Sequence, residues 1–203
     1  MTHAEAYGHP GAPLRSDVYA LLGCLLAAPP AARRLRGLAG LAAAPGTPDA
    51  VGEALGGLRD ACAAAREGSV EREYADLFVG LGRGEILPYA SWYRDGLLLS
   101  APLARLRADL AAFGIGRAPG VREPEDHAAA LCESMVLIIG RPQVTRRRQA
   151  QFFHDHLSPW MLLLFRDLQK ARSAVFYRSV GRLGEIFMLL ESELLQRQPI
   201  EED

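Results

Sequence analysis

The sequence predicts an all-α protein, and three of its features carry that reading. Apolar residues recur at helical spacing in one segment after another, proline and glycine punctuate those segments, and few stretches show the alternating β-branched pattern of strands. With 203 residues, 49% of them hydrophobic, the chain can bury a substantial core. Its formal net charge of −1 gives no long-range attraction to nucleic acid or to an anionic membrane, so no nucleic-acid partner is expected.

Residues 1–15 include Gly8, Pro10, Gly11 and Pro13, show little periodic apolar surface, and read as a loose N-terminal arm. Ser16 offers an N-cap and Asp17 a first-turn carboxylate for a helix striped by Val18, Leu21, Leu22, Leu25 and Leu26, which Pro29-Pro30 ends. A second helix is expected from Ala31 to Ala44, carrying Leu35, Leu38 and Leu41 inward and Arg33, Arg34 and Arg36 on a solvated face. Thr47-Pro48-Asp49 restarts a helix through Leu55, Leu58 and Cys62, although Gly52, Gly56 and Gly57 each cost it up to about 1 kcal/mol relative to alanine. Gly68-Ser69 breaks it ahead of Val70 to Phe78. From 80 to 99 the pattern becomes an aromatic loop: Gly80, Gly82, Gly84 and Pro88 deny a long helix while Leu87, Tyr89, Trp92 and Tyr93 concentrate apolar surface.

Ser100 and Pro102 open a helix on Leu103, Leu106, Leu110 and Phe113, closed by Gly114. The glycine-rich stretch 114–123 is the expected hinge or linker between an N-terminal helical half, 16–113, and a C-terminal half, 124–203. Pro124 suits a first helical position, where its missing N–H would have no partner, so the next helix is expected to begin there with Asp126 and His127 in its first turn. Glu123 and Glu125 stand near the positive end of its dipole, Leu131, Cys132, Met135, Val136, Ile138 and Ile139 form its apolar face, and Gly140-Arg141-Pro142 stops it. Helices over Val144 to Leu157, Ser158-Pro159 to Ala171 and Ser173 to Arg197 complete a bundle of about nine.

Chemical templates are mostly missing. Cys24, Cys62 and Cys132 lie singly in apolar patterns and read as buried reduced thiols. No secretory leader opens the chain and no apolar run reaches about 18 residues, which leads to the expectation of a cytoplasmic protein without stable membrane insertion. His154 and His156 lie two residues apart, pointing to different sides of a helix, and no His-Glu-x-x-His or cysteine pair supports a metal site. Gly80 to Gly84 lacks a phosphate-loop lysine, and no nucleophile elbow exists. The expectation is therefore no catalytic residue, no metal and no cofactor. Asp126 and His127, as neighbours on a helix, diverge by about 100° and do not make an oriented base. Two roles stay open for them: satisfying first-turn N–H groups and packing inward, or forming part of a binding surface.

Four ordered stretches bring a resemblance. Glu73-Tyr74-Ala75-Asp76-Leu77-Phe78-Val79-Gly80 is similar to a Tyr-x-x-Leu-Phe run, and Pro88-Tyr89-Ala90-Ser91-Trp92-Tyr93 to a Pro-Tyr-x-Ser-x-Tyr loop. Glu123-Pro124-Glu125-Asp126-His127, with Glu133 and Met135 downstream, is the third, and Phe153-His154-Asp155-His156-Leu157-Ser158-Pro159-Trp160 the fourth. Together they resemble the TorD/DmsD/NarJ group of redox-enzyme maturation chaperones, especially its TorD-like branch. Leu131 and Ser134 depart from the acidic and aromatic residues common there, and Leu87 replaces the first of a common proline pair.

The resemblance implies an all-helical cytoplasmic chaperone that binds the twin-arginine signal peptide, and the mature part, of the catalytic subunit of a molybdopterin-type redox enzyme until its cofactor is inserted. Such a leader needs an apolar groove and carboxylates, because arginine's planar fork pairs with carboxylates. Tyr89, Trp92 and Tyr93 are the expected apolar contacts, and Glu73, Asp76, Asp126 and Glu133, with His127, the expected polar ones. On one continuous helix Asp126 and Glu133 would lie near one face roughly 10 Å apart. A helical chaperone for a non-exported redox-enzyme subunit and a nucleotide-dependent switch are the alternatives, and both a monomer and a domain-swapped dimer are open.

Overall fold

The structure, a computed structural model, describes residues 12–66, 68–80 and 83–196. Among the described residues it contains ten α-helices and no strand. The first, α1, runs over Ala12–Ala27, four residues ahead of the predicted Ser16 cap, so residues 12–15 are helical and only 1–11 of the expected arm lie outside the described residues. The cause is a buried ion pair. Arg15 is 3% exposed and donates to both carboxylate oxygens of Glu191, at 2.6 and 3.0 Å, and to Gln149 at 2.8 Å.

Helix α2 (Ala32–Leu38) stops well short of Ala44, because Leu35 and Leu38 pack on the core only partly buried, no residue of it is buried fully, and Gly37 and Gly40 weaken so lightly held a helix. Helix α3 (Asp49–Ala64) runs straight through its three glycines, held by buried Val51, Ala54, Leu58 and Cys62. Helix α4 (Ser69–Tyr74) continues into a π-helical turn over Ala75–Val79, closed by the Gly80 N–H on the Ala75 carbonyl at 2.7 Å. A short helix, α5 (Ala90–Asp95), lies inside the stretch expected to be a loop, and α6 (Ala101–Ala112) follows as predicted.

Beyond the 114–123 connection stand α7 (Ala128–Ile139), α8 (Arg146–His156), α9 (Met161–Lys170) and α10 (Phe176–Gln196). The two expected halves share one hydrophobic cluster, with α1 lying against α7 and α3 against α10. Trp160, Tyr19, Tyr177, Phe153 and Phe165 are its largest fully buried side chains. Helix α9 comes close enough to α10 that a Cβ on Gly184 would overlap the Phe165 ring. All three thiols are free. Cys62 and Cys132 are buried, burial pushing Cys62 up to about 11 and Cys132 higher still, whereas Cys24 is only half-buried and accepts a hydrogen bond from Arg34.

Candidate peptide-binding site

The second and third sequence motifs meet at an antiparallel bridge between Tyr89 and His127. The Ala90 N–H donates to the Asp126 carbonyl at 3.0 Å and the Ala128 N–H to the Pro88 carbonyl at 2.8 Å. This pairing draws residues 124–127 into a turn, so α7 begins at Ala128 and not at Pro124. His127 is its N-cap, with Nδ1 accepting the Ala129 N–H at 3.1 Å. Asp126 caps a different helix: its Oδ2 accepts the Ser91 N–H at 2.9 Å at the start of α5. Ser91 Oγ in turn accepts the N–H of Leu99, which has a left-handed φ of 60°. The Tyr89 ring stands edge-on to His127 at 5.1 Å between centroids, and its hydroxyl donates to the Glu123 carboxylate.

Asp126 is 0% exposed, while Glu133 faces solvent on α7. The two therefore do not form the pair of carboxylates on one helix face that a helix from Pro124 would have produced. His127 is buried as well. Burial lowers its pKa below the ordinary 6.5 despite the opposing pull of Glu123 and Asp126, and only the neutral ring can accept at Nδ1. The unfolded chain thus takes up this proton more readily than the folded one. The stability contributed by the neutral ring is complete above about pH 6.5 and is lost as pH falls toward the lower folded value. His127→Asn keeps a capping acceptor without the titration, so its Tm is expected to fall less than the native protein's between neutral and mildly acidic pH. Equal falls would show that His127 does not carry this dependence.

The first motif holds helix ends. Both carboxylate oxygens of Glu73 accept from the start of α10, taking the N–H groups of Val175, Phe176 and Tyr177 at 2.8, 3.0 and 2.7 Å. Tyr74 donates to the Leu26 and Ala27 carbonyls at the end of α1, at 3.3 and 3.0 Å. Asp76 is exposed on the π-helical turn. In the fourth motif the Trp160 indole donates to the His156 carbonyl at 2.7 Å, and His156 Nε2 lies 2.7 Å from the Asp109 carboxylate.

An open pocket of about 290 Å³ lies between the aromatic segment and α9, with Ile86, Leu87, Trp92 and Tyr93 on one side and Asp167 and Lys170 on the other. The Tyr93 hydroxyl donates to Asp167 Oδ2 at 3.0 Å, and its ring lies 5.5 Å from that of Trp160. Burial, then the Asp167 charge, raise the Tyr93 pKa. Glu85, on the rim, accepts the N–H groups of Arg172 and Ser173 at 2.6 and 3.1 Å, and these bonds hold its pKa down. Leu97, Leu98 and Leu99 follow α5 and are 66%, 41% and 66% exposed.

Of the residues named from sequence, Trp92 and Tyr93 share the pocket and Tyr89, Asp126 and His127 form the bridge; Asp76 meets the pocket only through its backbone, its carbonyl accepting the Glu85 N–H at 3.3 Å, and Glu73 and Glu133 line neither. Sequence reasoning missed Glu85 and Asp167. Glu85 carried a signal as a carboxylate inside the glycine-rich stretch; Asp167 carried none, because its place depends on how α9 folds back.

The fold and the site define an all-α bundle with an aromatic- and carboxylate-lined surface pocket. The chain belongs to the nitrate reductase delta subunit family, whose model matches residues 44–166, a span that contains all four motifs. It is similar to Chaperone protein TorD of Vibrio cholerae serotype O1, with 29% identity over 153 residues, covering 70% of this chain and 69% of the relative. Chaperone protein TorD of Vibrio vulnificus is 29% identical over 134 residues, 61% of this chain and 62% of that one, and that of Aliivibrio fischeri 26% over the same shares. The resemblance read from the four motifs is thus a relationship: this is a TorD-like member of the redox-enzyme maturation chaperones.

Proposed function

We propose that the protein is a cytoplasmic chaperone that binds the twin-arginine signal peptide of a molybdenum-containing redox enzyme, together with part of the mature subunit, until the cofactor is inserted. The observation that carries this reading is the pocket beside Trp92 and Tyr93, which combines aromatic faces with the Glu85 and Asp167 carboxylates, while the three leucines that follow α5 in the chain are exposed. Those are the ingredients a leader with two arginines and an apolar stretch requires. Asp126 and His127 serve the site by holding the start of α5, which carries Trp92 and Tyr93. In keeping with this role, no described helix is long and apolar enough to cross a membrane.

Isothermal titration with a synthetic leader peptide tests the reading. Replacing both arginines by alanine is expected to weaken binding by about tenfold or more, as loss of charge-assisted bonds does. Equal binding of both peptides would sink arginine recognition. The family's description as a nitrate reductase subunit favours a second reading, in which the protein grips a redox-enzyme subunit without a leader. Co-elution with a leaderless client on size-exclusion chromatography would select it.

A further inference from the structure

We propose that the face of Trp92 is a seat for a guanidinium group, occupied in the free chain by its own Arg83 and taken over by an arginine of the leader. This rests on the leader-binding reading and names the subsite within it. The Arg83 guanidinium carbon lies 4.4 Å from the Trp92 ring centroid, inside the roughly 6 Å reach of a cation–π contact. Among the described residues that ring is its one side-chain partner, so displacing it breaks no ion pair with any of them. The backbone delivers Arg83 to this place. Gly80 has φ of 61°, and a Cβ there would run into the backbone of Arg83, while one on Gly84 would meet the Leu77 carbonyl and the Phe78 backbone. The glycines let the chain close tightly on the π-helical turn and set Arg83 beside Trp92.

Charge favours exchange for another arginine. The pocket walls hold Glu85 and Asp167 against Arg83 and Lys170. Once Arg83 leaves, Glu85 and Asp167 stand beside Lys170 and the Arg172 guanidinium, whose Nε lies 4.0 Å from Glu85 on a side chain almost fully in solvent, so the pocket has lost one positive charge and the vacancy takes a cation. Both carboxylates are oriented by existing bonds, Glu85 by two backbone N–H groups and Asp167 by the Tyr93 hydroxyl, and each keeps lone pairs for a guest. A guanidinium stacks flat on the indole and pairs edgewise with a carboxylate; a lysine ammonium does only the second well.

The test uses the full chain and its Arg83→Ala, Trp92→Leu and double variants, titrated with the synthetic leader. Arg83→Ala is expected to bind roughly three- to tenfold tighter, and that gain should vanish in the Trp92→Leu background. A second readout is the pair of indole signals in a proton–nitrogen correlation spectrum, since the chain has two tryptophans and Trp160 is buried. Acetyl-Arg-Arg-amide should move the Trp92 signal, more in Arg83→Ala than in the native chain, with acetyl-Lys-Lys-amide moving it little. A leader that fails to bind while the arginine dipeptide moves Trp92 removes the chaperone reading and keeps the seat. A leader that binds the native chain and Arg83→Ala equally, with Trp92 unmoved by the dipeptide, overturns the seat and keeps the reading. A nucleoside triphosphate that moves Trp92 and is weakened by Arg83→Ala assigns the pocket to anions and also overturns it.

Discussion

Glu191→Ala is expected to destabilise the protein by about 3–5 kcal/mol, because it leaves the Arg15 guanidinium buried without a carboxylate. The same change removes the acceptor of the Tyr19 hydroxyl, 3.0 Å away, in a side chain that is itself fully buried. Only Gln149 would remain to Arg15. Urea unfolding measures the effect as a lower midpoint with an unchanged slope. Replacing both members by methionine should recover about 2 kcal/mol or more of the loss, since the cost lies chiefly in the orphaned charge. A double variant no more stable than Glu191→Ala would show that the ion pair, and not its desolvation, carries the stability.

Glu73→Ala is expected to cost about 3 kcal/mol, the second largest effect of a single substitution. Three N–H groups at the start of the longest helix lose a charged acceptor placed at the positive end of its dipole. Glu73→Gln keeps one carbonyl acceptor and should cost about 1 kcal/mol. The same pair of variants decides between two uses of this carboxylate. If Glu73 serves α10 alone, Glu73→Gln binds the leader peptide as the native chain does while its urea midpoint drops. Loss of peptide binding at an unchanged midpoint would place Glu73 in recognition instead.

The helices were legible because their signals are local. Leu103, Leu106 and Leu110 line one face at helical spacing, Pro29-Pro30 cannot continue a helix, and the structure follows both. Local signals misled where they competed with distant partners. Pro124 offered a good helix start, but Asp126 and His127 pair instead with the backbone of Pro88 and Ala90, and α7 waits until Ala128. Trp92 and Tyr93 were legible as an aromatic stretch and line the pocket, yet the short helix that presents them starts on the Asp126 carboxylate, 35 residues away from Ser91 in sequence. The expected recognition carboxylates illustrate the same limit. Glu73 and Asp126 hold helix ends in the interior, whereas Glu85 and Asp167 face the pocket.

The sequence by itself determined the all-α class, the order of most helices and the family, because apolar periodicity, helix-stopping residues and motif order are properties of consecutive residues. Only the tertiary structure decided which carboxylates are available to a cation. That depends on hydrogen-bond donors such as Val175, 102 residues from Glu73, which no spacing along the chain reveals. A buried carboxylate must find donors wherever the fold supplies them, and Glu85 and Asp167 are the carboxylates the fold leaves beside Trp92 and Tyr93.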